Sequence, residues 1–207
     1  MSRRRAIDLV VLGASLGGLD ALRRVLAPLP ADFPPVVVAQ HRPLGSGPGL
    51  ASLLARDTAL AVSDADDKDP LLAGHVYLAP ADYHLLVERG SLALSTEGKV
   101  SFARPSIDVL FESAAHVYGH RLVAALLTAA SKDGAAGIAA VHRAGGLVIV
   151  QDPATAESPI APRAALRLTP DARVAGLREI GELLARLGRE VRAGQVVSGM
   201  IKNPNGP

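Results

Sequence analysis

The sequence predicts an α/β fold: a doubly wound, mostly parallel sheet with helices on both faces and a small antiparallel β meander insertion. Three observations carry this. Runs at 7–12, 36–40, 122–128 and 147–151 are almost wholly apolar rather than alternating, as strands covered on both faces must be. Segments with apolar residues at helical spacing lie between them. The first run ends in a glycine-rich turn, IDLVVLGASLGG over 7–18, which opens a helix.

Taken in order, 19–29 reads as a helix, with Leu19, Leu22, Val25 and Leu26 on one side, Arg23 and Arg24 on the other, and Pro28 and Pro30 at its end. A strand at 36–40 runs straight into His41. A turn-rich loop, RPLGSGPG over 42–49, leads to a short helix at 50–56. A strand is expected at 60–62, then an acidic loop with Asp64, Asp66, Asp67 and Asp69. It lacks the glycine and terminal glutamate of a calcium loop. Three β signals at 75–79, 84–88 and 92–95, separated by turn residues, suggest the meander. Ser106 is placed to cap a helix in which Ile107, Leu110, Phe111 and Ala114 line one face. Strand 122–128, loop 129–134, helix 135–143, strand 147–151 and helix 160–168 follow. An amphipathic helix at 177–192 closes a single domain over 1–194, and 195–207 is expected to be a flexible tail.

Composition narrows the function. Of the 207 residues 49% are hydrophobic but only 3% aromatic, so Leu, Val, Ile and Ala must fill the core. No apolar stretch is long enough to span a bilayer, and the N-terminus lacks a signal-peptide core because Asp8 interrupts the first apolar run. The absence of cysteine excludes disulfides, thiolate zinc sites and cysteine nucleophiles. A cytoplasmic protein is the simplest fit. A net charge of +2 with few aromatics gives no argument for nucleic acid. No cofactor is expected.

The turn at 13–18 can be read three ways. G-x-S-x-G-G between strand and helix exposes Ser15 as a nucleophile would be exposed. It could bind phosphate, although the dinucleotide fingerprint wants glycine where Ser15 stands and a P-loop wants Gly-Lys-Ser/Thr. Ser15 could also simply cap the helix. Ligands of open α/β sheets sit at the carboxyl ends of strands. Ser15 ends the first strand, His41 the second, and Asp133 lies in the loop after 122–128. A hydroxyl, an imidazole to take its proton and a carboxylate to orient the imidazole are what a serine hydrolase requires. In isolation Asp133, just before Gly134, reads first as a cap for the helix that follows, and only jointly with the other two as an orienting acid. The chain order Ser15, His41, Asp133 differs from that of α/β-hydrolases.

Six ordered blocks resemble the catalytic domain of the CheB-type chemotaxis protein-glutamate methylesterases: LGASLGG at 12–18, QHRPLGSG at 40–47, AGHVYLAPADYHLLV at 73–87, RPSIDVLFESAA at 104–115, LTAASKDGAAG at 127–137 and APRAAL at 161–166. The resemblance implies a doubly wound domain that hydrolyses methyl esters on chemoreceptor glutamates and often deamidates glutamines. Ser15 would be nucleophile, His41 general base and Asp133 orienting acid. The implied partner is a methylated chemoreceptor or a similar signalling protein, with no nucleic acid and no membrane insertion. Leu16 stands where the family usually has threonine, Ala130 where it usually has methionine, and Ala103 where histidine is frequent. These departures leave an inactive or weakened signalling module as the alternative. The usual N-terminal receiver domain has no counterpart before Ile7, so that control is expected to be absent or supplied by a separate regulator.

Overall fold

In the computed structural model, residues 7–42 and 49–200 are described, with side chains followed as far as residue 190. Seven parallel strands form one sheet in the order β3-β4-β2-β1-β7-β8-β9. They are β1 Leu9–Ala14, β2 Val36–Gln40, β3 Ala61–Asp64, β4 His75–Leu78, β7 Leu122–Leu126, β8 Leu147–Gln151 and β9 Arg173–Ala175. β5 His84–Val87 and β6 Leu92–Ser95 form a separate antiparallel hairpin. The helices are α1 Gly18–Leu26, α2 Gly49–Leu54, α3 Ile107–Tyr118, α4 Ala135–Arg143, α5 Ile160–Leu168 and α6 Leu177–Met200.

The apolar runs fold as strands because side chains alternate between two covered faces. Leu9 and Val11 of β1 pack with α3, α4, α5 and the hairpin. Val10 and Leu12 pack with α1, α2 and α6. All six residues of β1 are buried. At Gly13 the α3 layer comes so close that a Cβ would stand 2.3 Å from Ile107 Cγ2 and 3.0 Å from Phe111 Cζ. Overpacking of that kind costs about 1–3 kcal/mol.

Chain order reverses beside β1. The connection through α1 leads to β2 on one side, and α3, on the opposite face, leads to β7 on the other. A crevice therefore opens at the carboxyl ends of these central strands. Several expectations change in detail. The segment 75–79 belongs to the parallel sheet, between β2 and β3, and only β5 and β6 make the antiparallel insertion. Val76 and Leu78 are buried on one face and Tyr77 on the other, which an exposed meander would not provide. β9 was not expected. α6 runs to Met200, past the anticipated end at 192 and into the first part of the expected tail, whose remainder at 201–207 lies outside the described residues. Most of the turn-rich loop, 43–48, also lies outside them.

Candidate active site

Ser15 and His41 leave neighbouring strands at the same level. Ala14 is in register with Gln40, the Ser15 N–H donates to Thr128 O at 2.9 Å, and the His41 N–H donates to Ala14 O at 3.1 Å. Ser15 is thus fixed through its backbone on both sides, between the ends of β2 and β7. It does not cap α1. Gly17 holds the cap position with φ +74 and no side chain caps the helix. Among the described residues the Ser15 hydroxyl has no hydrogen-bond partner.

His41 meets Asp133 directly, with Nε2 2.7 Å from Oδ2. A carboxylate at Nε2 holds the ring proton there, so Nδ1 carries the lone pair able to accept a proton. Asp133 is fully buried. Its Oδ2 also accepts from the Ile107 N–H at 2.7 Å, and its Oδ1 accepts from the Ser106 hydroxyl at 2.8 Å and the Asp108 N–H at 3.1 Å. Burial alone would raise this carboxyl, but His41, the two N–H groups and the hydroxyl outweigh it and hold the group below its usual range. The N-terminal dipole of α3 acts in the same direction.

Asp133 therefore caps α3 and not, as its position before Gly134 suggested, α4. The acid on α4 is Asp108, from the first turn of α3. Its Oδ1 accepts from Gly134 N at 2.9 Å and Gly137 N at 2.7 Å. Each helix start thus receives a carboxylate from the other. Burial, with the Asp133 charge alongside, lifts the Asp108 carboxyl from 3.8 to about 6, against the pull of the Gly137 and Gly134 N–H groups.

Sequence reasoning passed over two further residues. Gln40 Nε2 donates to Ser15 O at 2.8 Å and to His41 O at 3.1 Å, tying the two together through one amide. Its Oε1 is buried without a partner and lies 2.0 Å from where a Cβ on Gly18 would stand. The only hint was an amide closing an apolar strand. The second is Phe102. His41, Arg42, Lys99, Phe102, Ala103 and Arg104 border a cleft of ≈ 290 Å³. Phe102 is 98% exposed at the tip of a two-residue turn with φ +52 at Ser101 and +65 at Phe102. Left-handed backbone costs an L-residue about 1–2 kcal/mol.

Of the other histidines, His84 and His75 have structural partners. His84 is buried, with Nε2 donating to Gly98 O at 3.0 Å and Nδ1 accepting from Ser106 N at 3.2 Å. His75 stacks on Tyr77 and bonds Ser63 Oγ at 3.0 Å. Of the acidic loop, Asp64 pairs with Arg42 at 2.6 Å and Asp67 accepts from Leu94 N at 3.0 Å. Among the described residues no helix is long and apolar enough to cross a membrane.

The sequence model of the CheB methylesterase family matches residues 10–184. A putative protein-glutamate methylesterase/protein-glutamine glutaminase of Leptospira interrogans is 40% identical over 182 residues, covering 87% of this chain and 94% of that one. A protein-glutamate methylesterase/protein-glutamine glutaminase of Pseudomonas aeruginosa is 44% identical over 164 residues, covering 77% of this chain and 47% of that one. The chain thus spans nearly all of the first relative and about half of the second. The crystal structure of the Thermotoga maritima CheB methylesterase catalytic domain superimposes with a TM-score of 0.83 at 33% identity, over 88% of this chain and 99% of that one. Fold, sequence blocks and relatives agree: the chain belongs to the CheB methylesterase family, whose members are carboxylic ester hydrolases.

Proposed function

We propose that this protein removes methyl esters from glutamate side chains of a chemoreceptor or similar signalling protein, with Ser15 as nucleophile, His41 as general base and Asp133 as orienting acid. The observation that carries this is the 2.7 Å bond between His41 Nε2 and a fully buried Asp133, at the strand ends where Ser15 presents an uncommitted hydroxyl. His41 and Ser15 are held at adjacent backbone positions, and contacts between base and nucleophile commonly tighten only in the substrate complex.

In this reading Ser15 Oγ attacks the ester carbonyl while its proton passes to His41 Nδ1. The Leu16 N–H, without a partner among the described residues, is available to the oxyanion. Collapse of the tetrahedral intermediate breaks the C–O bond to the methoxy group, which leaves as methanol with the proton from His41. Water then attacks the acyl-enzyme, giving its proton to His41, and glutamate is released as Ser15 recovers its own. The same steps on a glutamine amide would release ammonia, the second activity in the names of the relatives. Work in the cytoplasm completes the reading.

The test is methanol release from a methylated chemoreceptor fragment. Ser15→Ala should abolish it, since loss of a triad nucleophile costs about 10⁶-fold in a comparable enzyme. The melting temperature should be unchanged, because the hydroxyl bonds to nothing among the described residues. An unchanged rate would refute the assignment.

A further inference from the structure

We propose that the turn at Ser101 and Phe102 is a docking tip for the esterified protein segment, with the Phe102 ring receiving an apolar side chain of that segment beside the reacting glutamate. This rests on the esterase reading above.

The ring contributes almost nothing to its own fold, being 98% exposed. Its backbone is nevertheless costly. Val100 and Ala103 exchange both hydrogen bonds, N to O at 3.1 and 2.9 Å, around two residues of positive φ. Turns of this kind ordinarily carry Asn-Gly or Gly-Gly. Strain with no internal return marks function more often than stability. The base of the loop is fastened. Arg104 bonds Asp82 Oδ1 at 2.9 and 2.6 Å through Nε and Nη2, and Thr96 O and Glu97 O at 2.6 and 2.9 Å through Nη1. His84 ties Gly98 to Ser106, and Ser106 in turn bonds Asp133. The aromatic tip is thereby held out from the frame that orients the general base, so little ordering cost remains on docking.

The chemistry of the occupant follows from the cleft that Phe102 shares with His41. Exposed aromatics dominate the centres of protein interfaces. Arg42 and Arg104 are already engaged with Asp64 and Asp82, whereas Lys99 has no partner among the described residues. An apolar side chain flanked by an acidic one is the complementary surface.

Phe102→Ala, Phe102→Gly and Phe102→Trp should be compared in methanol release from a methylated chemoreceptor fragment and in hydrolysis of p-nitrophenyl acetate. Alanine should raise KM for the fragment about tenfold and leave kcat and the small ester within about twofold. Glycine should raise KM equally and raise the melting temperature, since it relieves the left-handed position. Tryptophan should retain wild-type KM. An unchanged KM in the alanine variant overturns the docking role, as does a parallel loss on the small ester. If the wild type releases no methanol from the fragment, the esterase reading itself falls and the docking tip with it.

Discussion

Asp133 and Phe102 stand on the same rim of the sheet, and the fold treats them in opposite ways. Asp133 is wholly buried and accepts four hydrogen bonds from two helix-start N–H groups, one hydroxyl and one imidazole. Phe102 is almost wholly exposed, on backbone that L-residues avoid. The difference teaches how one crevice serves two needs. The group that must not move is saturated with donors and sealed. The group proposed to meet a changing partner is displayed, at some cost, on a base that is itself braced.

Saturation makes Asp133 the residue whose change should break the contrast most severely. Asp133→Asn should lower kcat about 10⁴-fold, the scale set by amide replacement of an orienting acid. It should also destabilise by about 1–3 kcal/mol, because the new NH₂ confronts groups that are themselves donors. Urea unfolding measures this, and wild-type stability in the variant would mean that the four bonds do not fix the site. Gln40→Met should lower kcat by about 10²-fold with little change in KM, the cost of a small misplacement of nucleophile against base. Gly18→Ala should act in the same direction by pushing on the Gln40 amide. A Gln40→Met enzyme with full kcat would show that the strand ends alone suffice.

The smallest effect sharpens the comparison between the two buried acids. The Asp108 carboxyl is raised to about 6. Its contribution to stability is fully present below pH 3.8 and is lost as pH rises through about 6. Asp133, held below its usual range, contributes above that range, and its share is lost only as pH falls through its folded value. Asp108→Asn keeps an acceptor for Gly134 and Gly137 without the charge. Its stability relative to wild type should therefore improve between pH 5 and pH 7. The same difference at both pH values, by urea unfolding, would contradict the assignment.

Most of the scaffold was legible because burial on two faces writes itself into a strand. β2 and β8 and helices α4 and α5 lie where the apolar patterns put them. β9 was not, since its residues Arg173 and Val174 are exposed at the sheet edge and leave no pattern. The β4 segment was placed in a meander because adjacent β signals suggest hairpins, whereas its partners are the distant β2 and β3. At the site, strand-end positions nominated Ser15, His41 and Asp133, and the fold brings His41 and Asp133 into contact. What Asp133 caps could not be read locally, because its donors Ser106, Ile107 and Asp108 arrive from another helix. Gln40 and Phe102 passed unnoticed for a similar reason. Their roles depend on which loops the sheet order brings together.

The central claim is that Ser15 is an activated nucleophile, and a fluorophosphonate that reports on such serines tests it without a receptor in hand. After incubation and digestion, mass spectrometry should find the adduct on the peptide containing Ser15, with labelling lost in His41→Ala. An unmodified Ser15 in the folded wild type, or equal labelling when His41 is replaced, would contradict the account.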